Sequence, residues 1–295
     1  MKIALVGYGE VGRILAEDLR GHTLSAFDLK ASSAMQAHAA AQGVQWAATH
    51  AQAVQGAGLV ISAVTASQAV PVAEACAPAL QPGAYVLDLN SASPGAKQRA
   101  ARVVDAAGGR YVEGAVMTSV PPYRLRVPLL LGGPHAQALA SVLTSLGFAP
   151  RVHDARLGVA SATKMCRSVL IKGMEAMFIE SLTTARHYGV EDAVLASLKE
   201  TFPGVDWQSQ ASYFFQRVIE HGRRRSEEVR EVAETVREAG LTPWSAAGTA
   251  ERQAWMADLA DEGVFGERGS AGFARSPDWR TEADRLLDRI KETTD

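Results

Sequence analysis

Cysteine and long apolar runs are scarce in this sequence. Its 295 residues include only two cysteines, Cys76 and Cys166, and their spacing matches no zinc or redox motif. We therefore expect both to be buried small hydrophobic residues in a protein of the reducing cytoplasm. The first apolar run, Ile3 to Val6, is too short for the core of a signal peptide, and no later run reaches the ~18 residues of a membrane span.

A surplus of either charge is also missing. The chain has 30 Lys and Arg against 32 Asp and Glu, a formal net charge of −2, so it has no general attraction for polyanions. We expect no nucleic acid partner, no membrane association and no metal site. With 47% hydrophobic residues, the chain is long enough to form two cores.

The pattern of apolar residues changes about halfway along the sequence. Residues 1–155 alternate helical stretches with short apolar runs, namely KIALVG, LSAFDL, LVISAV, AYVLDLN, RYVEGAV and VPLLLGG. This alternation predicts an α/β domain with a mostly parallel sheet. Residues 156–295 lose the strand-like runs, and apolar positions from Leu157 to Phe178 recur at helical spacing. We predict an all-helical second domain joined to the first by one long helix.

A glycine motif opens the first domain. Gly7, Gly9 and Gly12 have the spacing G-x-G-x-x-G directly after a strand and at the start of a helix. The first glycine allows a tight turn, the second lets a pyrophosphate approach the backbone, and the third lets helix and strand pack closely. The motif predicts a Rossmann-like domain that binds a dinucleotide through residues Gly7, Tyr8, Gly9, Glu10, Val11 and Gly12.

An acidic residue follows at the end of the next strand. Asp28 comes 21 residues after Gly7, where a carboxylate accepts hydrogen bonds from the adenosine ribose and repels a 2′-phosphate. We therefore expect NAD rather than NADP, although Lys30 and Ser32 could soften that repulsion. In the alternative interpretation Asp28 only caps a turn.

Three later stretches resemble the β-hydroxyacid dehydrogenase family, which includes 3-hydroxyisobutyrate and 6-phosphogluconate dehydrogenases. They are DLNSASP at 88–94, EGAVMTS at 113–119 and GVASATKMCRS at 158–168. The resemblance implies that Lys164 is the catalytic general acid and base. It also implies that the cofactor contacts Val64, Thr65, Asn90 and Ser91. The C-terminal half resembles a branch of the family whose second domain has no known function.

The chain departs from the family pattern around the substrate. Met117, Thr118 and Ser119 replace a Ser-Gly-Gly loop, while Arg167 and Ser168 replace two asparagines after the catalytic lysine. The candidate substrate-binding residues are Thr118, Ser119, Arg167, Ser168 and His221. Arg124 and Arg126 are further candidates, because guanidinium groups bind carboxylate and phosphate groups in a bidentate fork. In the alternative interpretation, which is the commoner one for a single arginine, Arg124, Arg126 and Arg167 are surface charges.

Together these features predict an NAD-dependent dehydrogenase that oxidises a small β-hydroxy acid, with or without decarboxylation of the product. An imine reductase is one alternative, which a lysine at position 164 disfavours. A dinucleotide sensor without catalysis is another. We also expect a cytoplasmic homodimer or higher homo-oligomer, with Met165, Met174 and Met177 on the long helix as its seam.

Overall fold

The computed structural model describes residues 1–270, 272–274, 276 and 278–294. The chain divides into two compact units, Met1–Cys166 and Arg167–Asp295. The boundary between these units lies inside the long helix, whose first turns pack with the first unit.

An eight-stranded sheet forms the centre of the first unit. Its strands are β1 Lys2–Val6, β2 Thr23–Phe27, β3 Gln45–Trp46, β4 Leu59–Ser62, β5 Tyr85–Asp88, β6 Arg110–Val116, β7 Leu129–Gly132 and β8 Pro150–Asp154. They lie in the order β3-β2-β1-β4-β5-β6-β7-β8, and every neighbouring pair is parallel except β6 and β7. The predicted mostly parallel sheet is confirmed.

Helices cover both faces of this sheet, which explains why its central strands are mostly apolar on both faces. In β1, Ile3 and Leu5 pack into one core, while Ala4 and Val6 pack into the other. The helices are α1 Glu10–Asp18, α2 Ser33–Ala41, α3 His50–Val54, α4 Ala69–Cys76, α5 Pro94–Ala106 and α6 Ala136–Ser145.

The second unit is helical, as predicted, and its described residues form no strand. Helix α7, Val159–Tyr188, begins in the first unit and continues into the second. It is followed by α8 Glu191–Thr201, α9 Trp207–Glu238, α10 Trp244–Asp261 and α11 Trp279–Thr294. The core includes Ile179, Phe215, Met256 and Trp279, each at most 1% exposed. No described helix of the chain combines the length and the apolar character needed to cross a membrane.

Candidate active site

The three glycines after β1 have different surroundings. A Cβ at Gly7 would lie 2.3 Å from the carbonyl oxygen of Ala63, and a Cβ at Gly12 would lie 2.2 Å from that of Gly7. A Cβ at Gly9 would meet nothing within 4 Å. Gly7 also has φ +95°, a conformation that side chains disfavour. Packing therefore requires Gly7 and Gly12, whereas the space at Gly9 is open for a ligand.

The amino end of α1 is equally suited to an anion. Gly9 is its N-cap and makes no side-chain cap hydrogen bond, so the first N–H groups of the helix have no side-chain acceptor at that position. Such N–H groups and the helix dipole attract phosphate. The loop between β1 and α1 therefore fits a dinucleotide pyrophosphate.

Asp28 lies directly after β2 and faces this loop. Its carboxylate accepts hydrogen bonds from the backbone N–H of Tyr8, at 2.7 Å, and of Lys30, at 2.8 Å. Asp28 therefore does cap backbone N–H groups of this turn, as the alternative interpretation holds. Each carboxylate oxygen has a second lone pair, so these bonds leave capacity for ribose hydroxyls.

The side chain of Tyr8 belongs to the core of the first unit and not to the ligand space. The ring is fully buried and packs edge-on against Trp46, while its hydroxyl lies 3.2 Å from Nδ1 of His38. Burial raises the pKa of Tyr8 to about 12. Tyr8 therefore contributes to the glycine turn through its backbone alone.

The buried side-chain amide of Asn90 joins the two segments that contain the predicted cofactor residues, one after β4 and one after β5. Asn90 accepts a hydrogen bond from the backbone N–H of Val64, at 2.6 Å, and donates one to the hydroxyl of Ser62, at 2.9 Å. Asn90 is 3% exposed, Val64 is partly buried and Thr65 is exposed. These bonds make Asn90 the residue that fixes the Val64 loop beside the strand end.

A buried ion pair supports this strand end. Nζ of Lys97 lies 2.8 Å from a carboxylate oxygen of Asp88 and also donates to the backbone carbonyl of Asp88 at 2.9 Å. The same carboxylate accepts hydrogen bonds from the hydroxyl of Tyr111, at 2.6 Å, and the backbone N–H of Asn90, at 2.8 Å. Burial, with the nearby Asp88 charge, raises the pKa of Tyr111 well above its usual value. The residues after Asp88 are thus held rigidly.

Lys164 reaches the same edge of the sheet from α7. Its ammonium nitrogen donates a hydrogen bond to the hydroxyl oxygen of Ser91, at 2.6 Å, and the two residues are 73 positions apart in sequence. Ser91 follows β5 directly after Asn90. The structure therefore brings the predicted general base to the carboxyl end of a parallel strand, where ligands bind in open α/β sheets.

The predicted substrate residues Thr118 and Ser119 are exposed in the loop after β6. Arg126 is exposed too, but Arg124 is not available as a carboxylate clamp. Its guanidinium lies 2.7 Å from Asp18 and 2.6 Å from Glu17. The prediction for Arg124 was wrong because two acidic side chains of α1 already occupy its fork.

The remaining substrate candidates lie in the second unit. Arg167 is exposed, Ser168 is 9% exposed, and His221 on α9 is half-buried. Burial lowers the pKa of His221, and the neighbouring Arg224 lowers it further, whereas Glu220 raises it. A neutral imidazole can both donate and accept a hydrogen bond.

Further along α7, the second unit contains buried charges that the sequence did not predict. Glu175, fully buried, pairs with Arg225 and accepts a hydrogen bond from Gln253 at 3.2 Å. Lys172 pairs with Glu228 at 2.7 Å, and burial lowers the pKa of Lys172. These pairs tie α7 to α9 and α10 within this unit.

Two expectations from composition were wrong in part. Cys76 is buried, as expected, but Cys166 is exposed. Met165 is 2% exposed and belongs to the interior, whereas Met174 and Met177 are 36% and 62% exposed. Cys166 and Met165 are neighbours on α7, and successive helical positions point in directions about 100° apart, so only one of them faces the core.

Two charged residues that shape this site were missed in the sequence. Glu113 stands in the middle of the apolar run RYVEGAV, and Lys97 lies on the alanine-lined face of α5. Glu113 is fully buried and Lys97 is 1% exposed. A charged residue at a buried position needs a partner. The signal in the sequence was therefore a single charged residue among apolar ones.

Comparison with known proteins is consistent with this geometry. The sequence profile of the NAD binding domain of 6-phosphogluconate dehydrogenase matches residues 2–147, and that of a domain of unknown function, DUF1932, matches residues 185–256. A conserved hypothetical protein from Sinorhizobium meliloti 1021 is 37% identical, with a TM-score of 0.77 over 98% of this chain and 96% of that chain. The chain belongs to the family that joins these two domains.

More distant relatives have named activities. The 3-hydroxyisobutyrate dehydrogenase of Pseudomonas aeruginosa is 26% identical over 215 residues, which cover 70% of this chain and 71% of that protein. An imine reductase from Streptomyces aurantiacus is 19% identical, with a TM-score of 0.55 over 97% of this chain and 99% of that chain, and shares the fold. The first unit is thus an NAD(P)-binding domain of the 3-hydroxyacid dehydrogenase type, and the resemblance drawn from the motifs is confirmed.

Proposed function

We propose that this protein is an NAD-dependent dehydrogenase that oxidises the hydroxyl group of a small β-hydroxy acid. The observation that carries the proposal is the 2.6 Å hydrogen bond between Lys164 and Ser91 at the carboxyl end of β5. It unites a proton-transferring group with the edge of the sheet at which a dinucleotide binds in this fold class.

The cofactor proposal rests on the first unit. The open space at Gly9 and the amino end of α1 fit the pyrophosphate. Asp28 would accept the ribose hydroxyls, and its negative charge favours NAD over NADP. The loop at Val64, Thr65, Asn90 and Ser91 would flank the nicotinamide half.

The chemistry divides between cofactor and protein. When bound, the nicotinamide supplies the acceptor for the hydride that leaves the alcohol carbon. Nζ of Lys164, in its neutral form, takes the proton of the substrate hydroxyl, and the C–O single bond becomes a carbonyl. In the reverse direction the Lys164 ammonium returns that proton. The hydroxyl of Ser91 orients the lysine by accepting its hydrogen bond.

We propose that the substrate carries a carboxylate, because the remaining candidate residues are polar or cationic. Thr118 and Ser119 offer hydroxyl donors, Arg167 offers a guanidinium, and Ser168 and His221 offer further polar groups. We include all five as the proposed substrate contacts. They differ from the Ser-Gly-Gly loop and paired asparagines of the family pattern, so we expect a substrate preference distinct from that of 3-hydroxyisobutyrate dehydrogenase.

A cofactor titration followed by a substrate screen tests this proposal. Binding of NAD and NADP is measured first, and small β-hydroxy acids, including sugar acids, are then screened for reduced nicotinamide by absorbance. We expect NAD to bind more tightly and at least one hydroxy acid to be oxidised. Turnover of cyclic imines instead would favour an imine reductase, and binding without any turnover would favour a sensor.

We also propose that the protein assembles as a homodimer or higher oligomer. Leu170, Met174 and Met177 form an exposed apolar stripe on α7, spaced four and three residues apart. Apolar stripes of this kind are typical of association surfaces. Light scattering at micromolar concentration is expected to give a multiple of the 31.3 kDa chain mass, and a monomer mass would contradict the proposal.

A further inference from the structure

Glu113 is a carboxylate buried in the middle of a strand. It is fully buried in β6, and its carboxylate accepts hydrogen bonds from one short segment, residues 158–161. One carboxylate oxygen accepts the backbone N–H groups of Gly158, at 2.9 Å, and Ala160, at 3.1 Å, while the other accepts the hydroxyl of Ser161, at 2.7 Å. Charge-assisted hydrogen bonds of this kind offset the cost of burying the carboxylate.

The segment that Glu113 binds is the start of α7. The carbonyl of Gly158 accepts the first hydrogen bond of the helix, from the N–H of Ala162 at 2.9 Å, which makes Gly158 the N-cap. Most N-cap residues satisfy the free N–H groups with their own side chain. Gly158 has none, and its φ of +95° favours glycine at this position. Glu113, which lies on strand β6, therefore caps the start of helix α7 in place of an N-cap side chain.

The space around Glu113 is fitted to this role. Gly132 lies directly opposite Glu113 in the antiparallel pair of β6 and β7. A Cβ at Gly132 would lie 2.2 Å from a carboxylate oxygen of Glu113. Any side chain at this position would displace the carboxylate from the helix start.

Lys164 comes six residues after Gly158, which is about 9 Å along a helix at 1.5 Å per residue. A change in the position or direction of the first turn therefore shifts the lysine relative to Ser91. We propose that Glu113 is a positioning residue for Lys164, which holds the start of α7 so that the ammonium meets the hydroxyl of Ser91. This inference rests on the proposed catalytic role of Lys164.

Two substitutions separate the geometry of Glu113 from its charge. In Glu113→Gln, the amide oxygen can still accept both N–H groups and the amide nitrogen can donate to Ser161, so the helix start is retained. In Glu113→Asp, the charge remains but the carboxylate withdraws by about 1.5 Å, one C–C bond length. Gly132→Ala displaces the carboxylate without altering it. Gly21→Ala is the matched control, because a Cβ there meets nothing within 4 Å.

Steady-state kinetics with a substrate found in the screen gives the first readout. We expect Glu113→Asp and Gly132→Ala to lower kcat by about 10- to 100-fold, because misplacing a reacting group by about 1 Å costs up to that factor. Glu113→Gln should stay within about threefold of wild type, and the dissociation constant of NAD should be unchanged in all variants. Wild-type kcat in Glu113→Asp would overturn the proposal, as would equal losses in the Gln and Asp variants.

A second readout does not depend on turnover. Acetylation of Lys164 by acetic anhydride, followed by mass spectrometry, measures the accessibility of its amine, and hydrogen exchange measures the N–H groups of residues 158–160. Both rates should rise at least threefold in Glu113→Asp and remain near wild type in Glu113→Gln. Unchanged acetylation despite faster exchange would overturn the proposal. If wild type oxidises no hydroxy acid, the proposed function fails, while this readout still decides whether Glu113 positions Lys164.

Discussion

The ammonium nitrogen of Lys164 lies 2.6 Å from the hydroxyl oxygen of Ser91, although 73 residues separate them in the chain. Each partner is fixed by buried polar contacts in its own region. Ser91 follows Asp88 and Asn90, which are tied to Lys97 and Ser62. A contact held in this way is preorganised, which would reduce the cost of orienting Lys164 for the proposed proton transfer.

Substitutions in the glycine turn should separate cofactor binding from folding. Gly9→Ala should leave the melting temperature unchanged, because a Cβ there meets nothing, and should weaken NAD binding at least tenfold by blocking the pyrophosphate. Gly12→Ala should instead lower the stability of the free protein, because its Cβ would clash with the carbonyl of Gly7. Calorimetry with and without NAD measures both effects. Tight NAD binding by Gly9→Ala would place the pyrophosphate elsewhere.

Asp28→Asn should shift the choice of cofactor. The asparagine keeps an oxygen for the N–H of Tyr8, so the turn after β1 should survive, while the negative charge is removed. We expect NAD to bind about tenfold more weakly than to wild type, because roughly one charge-assisted hydrogen bond is lost. NADP should bind more tightly than to wild type, because the charge that repels its 2′-phosphate is gone. Isothermal titration with both cofactors measures the ratio. An unchanged ratio would mean that Asp28 serves only the turn.

The thiol of Cys76 should make the first unit sensitive to alkaline pH. Burial raises the pKa of Cys76 from 9.0 to about 12, so the folded state keeps a proton that the unfolded state loses. Its contribution to stability is complete below pH 9 and is lost as pH rises from 9 towards 12. The free energy of unfolding, measured in urea, should fall between pH 8 and pH 11. This fall should be smaller in Cys76→Ala than in wild type by about 2 to 3 kcal/mol. An identical loss in both proteins would refute this assignment.

The strands that sequence predicts well are those buried on both faces. Six apolar runs correspond to β1, β2, β4, β5, β6 and β7. The two edge strands were missed for physical reasons. β3 has only two residues, and β8 alternates polar and apolar positions because one of its faces is exposed. Neither β3 nor β8 has the continuous apolar run that is typical of a central parallel strand.

Motifs identified the glycine turn, Asp28 and Lys164, but not the side chains that support them. Glu113 meets Gly158 across 45 residues, and Arg124 meets Glu17 across 107. A lone charge in a strand indicates that a partner exists, but only the folded chain selects the partner. For this reason Arg124 was considered as a candidate ligand clamp, and Glu113 received no role.

Replacement of Lys164 is the most direct measurement of the proposed function. With a hydroxy acid found in the screen, Lys164→Ala should lower kcat by about 10²- to 10⁴-fold, the usual contribution of a general acid or base. The dissociation constant of NAD should be unchanged, and Lys199→Ala, at an exposed lysine of α8, should behave as wild type. Wild-type turnover by Lys164→Ala would contradict the assignment of this lysine as the proton-transferring group.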